Sequence, residues 1–170
     1  YRHLSMEDIE KAVSILSKAE RIEFYGVGGS GVLAKDAQHK FFRLGIPCVA
    51  YVDPHMQSMS AALLNERDVV IVFSHTGATK DAIECAKIAA LSGATVIGIQ
   101  GEEKTPLSKY CDIVLASNSE EVALRLAPMA SRLAQLAIID ALMVSVALKG
   151  GDQINGNLEK VKQSLTGKRY

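Results

Sequence analysis

Asp68-Val69-Val70-Ile71-Val72-Phe73 runs without a break into Ser74-His75-Thr76-Gly77-Ala78-Thr79, and residues 79–91 then carry Ala82, Ile83, Ala86 and Ala90 on one helical face. An uninterrupted apolar run of strand length suits a strand covered on both faces of its sheet. A turn of small polar residues followed at once by an amphipathic stretch makes the segment a strand–loop–helix unit. Gly93 stops the helix and Thr95 to Ile99 opens the next strand.

Working outward, the same unit recurs. Upstream, residues 5–19 read as a helix that Ser5 caps, with Asp8 three positions on and Met6, Ile9, Val13 and Leu16 in a stripe. Arg21 to Tyr25 is an alternating strand ending in Gly26-Val27-Gly28-Gly29-Ser30-Gly31, and a helix over 31–44 is closed by Gly45 and Pro47. Cys48 to Val52 is a strand and 54–64 a short helix. Downstream come one helical turn at Pro106 to Lys109, a strand from Cys111 to Leu115 and a polar loop from Ser117 to Glu121. A long helix over about 127–148 is ended by Gly150-Gly151, and a last helix over 153–165 aligns Ile154, Leu158, Val161 and Leu165. Strands alternating with helices predict an α/β fold: a five-stranded parallel sheet in a three-layer α-β-α sandwich, as one domain over residues 1–170.

Composition narrows the function classes. The chain has 170 residues, 48% of them apolar and 5% aromatic, so its core is aliphatic. Its 19 basic and 19 acidic residues cancel, and no basic stripe is present, so this chain does not grip DNA by itself. Cys48, Cys85 and Cys111 are widely spaced and read as buried thiols of a reducing, cytoplasmic compartment. No Cys or His pair has ligand spacing, so neither a metal nor another cofactor is expected. The most apolar stretch, Leu133 to Leu148, is shorter than a membrane span and contains Gln135 and Asp140, which favours a core helix over a membrane partner. The chain opens on Tyr1 without a methionine and reads as a fragment of something longer.

Ligands on parallel sheets bind beyond the carboxyl ends of the strands, where strand order reverses. The two segments richest in Gly, Ser and Thr follow the first and third strands. The first also fits Gly-x-Gly-x-x-Gly through Gly26, Gly28 and Gly31, with Asp53 near the end of the second strand, which keeps a dinucleotide open as an alternative. The second gathers Ser74, Thr76 and Thr79 around Gly77 at the start of a helix whose first amides lack internal partners. Hydroxyls, amides and the helix dipole together favour an anion such as a phosphate monoester. A helix cap needs only one of these hydroxyls.

Gly-Val-Gly-Gly-Ser-Gly followed by Ser-His-Thr-Gly-Ala-Thr resembles the SIS (sugar isomerase) domain over nearly the whole chain. Met129-Ala130-Ser131-Arg132-Leu133-Ala134-Gln135-Leu136, with Asp140 beyond, is similar to the effector domain of RpiR-type bacterial transcription regulators. The segments 37–45 and 51–57 are similar to a branch of that family that represses hexose catabolism. The resemblance implies a flavodoxin-like strand order, a homodimer or tetramer, and an N-terminal helix-turn-helix domain that would carry DNA binding. It implies a phosphorylated sugar acid, 2-keto-3-deoxy-6-phosphogluconate, as effector. It places phosphate contacts on Ser30, Ser74, Thr76 and Thr79 beside Gly29 and Gly77, with His55 near the sugar; His75 is a further candidate. SIS domains also serve as aldose–ketose isomerases, whose base is often a glutamate ahead of the last long helix. Here Arg125 stands near that position, and arginine cannot abstract a proton at neutral pH but pairs well with a carboxylate. Glu120 and Glu121 keep the isomerase reading open, and Arg132 is either a second ligand contact or a partner of Asp140.

Overall fold

The computed structural model describes residues 4–118 and 129–168. Five strands, β1 (Arg21–Tyr25), β2 (Cys48–Tyr51), β3 (Asp68–Ser74), β4 (Thr95–Gln100) and β5 (Ile113–Ala116), form one sheet in the order β2-β1-β3-β4-β5. All four pairings are parallel. The fully buried run of β3 makes it the central strand, as its unbroken apolar sequence predicts.

Alternate residues of β3 feed two separate cores. Val69, Ile71 and Phe73 face α1 (Met6–Leu16), α2 (Gly29–Phe41) and α5 (Met129–Leu165). Val70 and Val72 face α3 (Pro54–Ala61) and α4 (Lys80–Leu91). The chain therefore leaves β1 towards one face and β3 towards the other. These two strands are neighbours, so the reversal opens a crevice between their carboxyl ends.

Local chemistry sets the element ends. Ser5 accepts the Asp8 amide at 3.2 Å and starts α1. Asp53 accepts the Met56 amide at 2.9 Å and starts α3, with Pro54 in the first turn. That role accounts for the aspartate that makes the glycine-rich loop look like a dinucleotide motif. α2 begins at Gly29 rather than 31, because Gly28 takes φ 58° and lets the chain turn early; Gly29 and Ser30 are thus helical. The two C-terminal helices form one run broken at Gly151, whose φ of 55° and ψ of −137° lie outside the helical region.

The apolar stretch is not too short to span a membrane, as Leu133 to Leu148 alone suggests: α5 runs on past Leu148 and by length and composition could cross one. What accounts for the inward apolar residues is packing: Ile138, Ile139, Leu142 and Val146 are buried in the core with α1 and α2.

The polar loop after β3 is fixed from beneath. Gly77 has φ 58°, its carbonyl accepts the Leu107 amide at 2.9 Å, and any side chain there would collide with Thr105. Gly77→Val should therefore cost at least the roughly 1–2 kcal/mol of a left-handed backbone, seen as a lower midpoint in urea; an unchanged midpoint would show that the loop relaxes freely. Burial also pushes the Cys85 and Cys111 thiols up to about 12 and Cys48 to about 11. Raised values mean that folding favours the neutral thiol below the unfolded value near ~8.5, a preference lost as pH rises towards the folded values. At pH 8 a disulfide reagent should label native Cys85 and Cys111 on the order of a thousandfold more slowly than the unfolded chain; equal rates would contradict the packing.

Candidate functional site

Ser74 is the last residue of β3 and is buried. Its hydroxyl accepts the Gly77 amide at 3.1 Å and donates to Thr79 Oγ1 at 3.4 Å. The Thr76 hydroxyl accepts the Ala78 amide at 3.2 Å. Both side chains hold the turn, and neither caps α4. Thr79 occupies the N-cap position, and its side chain takes no bond from the first helical turn. The opening of α4 thus lacks the side-chain acceptor that most helices of this length recruit. α2 repeats the arrangement across the crevice, with Gly28 at its N-cap and no side chain to supply an acceptor.

Between these helix ends lies a crevice of about 20 Å³, bounded by Gly26, Ser30, Gln57, Phe73 and Thr79. Gln57 is buried and donates through Nε2 to the carbonyls of Gly26 at 3.2 Å and Tyr51 at 2.8 Å, joining the loops after β1 and β2. Tyr25 also lines the crevice, and its hydroxyl donates to Glu23 Oε2 at 2.5 Å. Glu23 is wholly buried, accepts Ser60 Oγ on both oxygens at 2.8 Å and stands 3.6 Å from Arg21 Nε. Burial, reinforced by the Glu23 carboxylate, drives the Tyr25 phenol far above its ordinary pKa. Tyr25 is therefore a neutral, fixed donor.

A wider cleft of about 200 Å³ adjoins the crevice, sharing Val27 and Ser30 with it. Gly29 and His75 line it from the two loops, and Ser131, Arg132 and Gln135 line it from the first turns of α5. A methyl group at position 29 would stand 3.4 Å from a terminal nitrogen of Arg132. The His75 ring packs on Gly101, whose amide donates to the His75 carbonyl at 2.8 Å.

Gly29, Ser30, His75 and Arg132 are thus brought to one cleft, with Thr79 at the adjoining crevice and Ser74 behind it. Thr76 is exposed on the rim, and Gly77 is buried with its backbone shaping the turn. His55 is exposed in the first turn of α3 and lines neither cavity. Arg125, Glu120 and Glu121 lie outside the described residues. Asp140 pairs with Lys40, not with Arg132. His39 bonds Arg43 at 2.8 Å on the surface of α2. The site residues that the sequence conceals are Gln57, Gln135 and the Glu23–Tyr25 pair. Glu23 alone offered a sign, as a charge in the middle of a strand between Ile22 and Phe24.

The SIS domain family matches residues 15–145. An HTH-type transcriptional regulator of Caldanaerobacter subterraneus is 43% identical over 163 residues, covering 96% of this chain and 58% of the regulator. The HTH-type transcriptional regulator RpiR of Escherichia coli is 37% identical over 157 residues, covering 92% of this chain and 53% of RpiR. The chain therefore spans little more than half the length of these relatives. In structure it resembles the Vibrio vulnificus NanR protein complexed with ManNAc-6P, with a TM-score of 0.90, 22% identity, and coverage of 98% of this chain and 64% of NanR. A five-stranded parallel sheet, a hydroxyl-lined loop at its switch point and a family match over most of its length all agree that the chain belongs to the SIS domain family.

Proposed function

We propose that this chain senses a phosphorylated sugar acid for a cytoplasmic RpiR-type transcription regulator, with 2-keto-3-deoxy-6-phosphogluconate as the leading candidate. The observation that carries the reading is the pair of helix openings at one crevice, neither closed by a side-chain cap. A phosphate monoester supplies the acceptors that both openings lack and the negative charge that both dipoles favour. Thr79 and the rim hydroxyl of Thr76 add hydroxyl donors. The named regulators among its relatives and the phosphosugar bound to NanR support the same reading.

The sensor reading is preferred to the isomerase reading on chemistry. Moving a proton between C1 and C2 of a sugar needs a base beside those carbons, usually a carboxylate. Among the described residues, those lining the cleft include a guanidinium, an amide and an imidazole but no carboxylate. DNA contact then falls to a helix-turn-helix domain outside this chain, consistent with a net charge of zero. The outward face of α5, with Leu133, Val144 and Leu148 exposed, suits a second copy of the chain, so the unit is a dimer or a tetramer built from dimers.

Thr79→Ala and Ser74→Ala should each weaken binding of 2-keto-3-deoxy-6-phosphogluconate by about tenfold to over a hundredfold, the equivalent of losing one hydrogen bond to a charged acceptor worth roughly 1.5–3 kcal/mol. Thr79→Ala is the cleaner change, since Ser74 also holds the Gly77 amide. Calorimetry that returns wild-type affinity for both variants would remove the phosphate assignment. Incubation with fructose 6-phosphate should yield no isomerised product; steady turnover would restore the enzyme.

A further inference from the structure

The wall of the cleft facing α2 is chemically unfinished. Gln135 is 1% exposed, yet its Nε2 has no hydrogen-bond partner. His75 Nδ1 is likewise buried without a partner. Buried polar atoms are nearly always satisfied, and leaving one unmade is costly. Arg132 lies one turn before Gln135 on the same face of α5 and enters none of the ion pairs formed among the described residues. Its guanidinium sits against Gly29, the first residue of α2, at the helix opening that no side chain caps. Arginine, amide and helix opening are all donors, and they converge on a cavity that shares Val27 and Ser30 with the phosphate crevice.

We infer that this wall is a second anion subsite, formed by the α2 N-terminus, Arg132 and Gln135, which takes the carboxylate end of the effector and rejects neutral-headed sugar phosphates. The inference rests on the phosphosugar reading and specifies the half of the ligand that the α4 loop does not touch. A carboxylate is an acceptor with four lone-pair positions and fits the fork of a guanidinium in two parallel bonds. The Gln135 amide is then free to donate to the oxygen on the neighbouring carbon. A hydroxymethyl head offers one acceptor and brings a hydroxyl hydrogen that neither Arg132 nor the helix amides can receive. Discrimination follows from unsatisfied donors as much as from attraction, because the neutral ligand leaves them buried and unpaired.

The test uses two probes that differ only at carbon 1, 6-phosphogluconate and glucitol 6-phosphate, titrated calorimetrically into the purified chain. The acid should bind at least about tenfold tighter, as one charge-assisted pair requires. Arg132→Ala and Gln135→Met should each erase most of that ratio, and a ratio unchanged in both variants overturns the subsite. Thr79→Ala should weaken both probes alike. A structural role for Gln135 is separated by the ligand-free protein: Gln135→Met removes an unpaired buried amide and should melt at or above the wild-type temperature. Equal affinity of the wild type for the two probes, with Thr79→Ala still weakening both, overturns the acid subsite and leaves the phosphosugar reading standing. A lowered melting temperature of Gln135→Met with an unchanged ratio also overturns it. Failure of the wild type to bind either probe overturns both.

Discussion

An α-helix opens with amides that have no acceptor inside the helix, and in this fold two helices open at the same crevice. α2 leaves β1 towards one face of the sheet and α4 leaves β3 towards the other, so the two openings meet because the strands are neighbours. Neither recruits a side-chain cap. The side chains best placed to serve have other duties: the Ser74 and Thr76 hydroxyls accept amides of their own turn. The hydrogen bonding of the loop is spent on its shape, and the demand of the helix ends is passed to whatever enters the crevice.

Holding that geometry takes polar groups placed where an apolar core would be cheaper. Glu23 buries a carboxylate in β1 and satisfies it with Tyr25 and Ser60, tying the strand to α3 beneath the crevice. Gln57 ties the carbonyls after β1 and β2 to the same helix. Gln100 does comparable work beyond β4, donating to the Glu102 carbonyl and to Ser108 Oγ and accepting from Thr105, the residue on which Gly77 rests. A buried network of this kind rigidifies only when it is fully satisfied. The unpaired Nε2 of Gln135 and Nδ1 of His75, both on the cleft, depart from this background.

Much of the architecture was legible because local pattern carries it. The apolar run 68–73, the glycine stops and the helical stripes placed five strands and six helices within a few residues of where they stand, the last two being the arms of α5 on either side of Gly151. The hydroxyl-bearing loop stood out for the same reason: Ser74, Thr76 and Thr79 fall within six residues. Strand order is a property of pairing between distant segments, and here the family resemblance supplied what periodicity could not. Gln135 was hidden by context. Read in sequence it interrupts an apolar helix, and only the packing of α5 beside α2 turns that interruption into a wall of the cleft. His55 shows the converse: its position after β2 points to the mouth of the site, yet in the fold it is exposed and lines neither cavity.

Gly151 divides α5 into two arms, and both hold α2. The first arm sets Arg132 against the start of α2 at Gly29. The second sends Asn157 Nδ2 to the Leu44 carbonyl just past its end, a bond of 2.9 Å across 113 residues of sequence. The order of assembly in time follows from this. The glycine-rich loop and the hydroxyl loop are synthesised well before the Arg132 wall, which belongs to α5. Contacts of such long range form late and only after the intervening chain has been ordered. A chain in which α5 is not yet made would present the two loops without the Arg132 wall, so a complete cleft itself reports that α5 has docked.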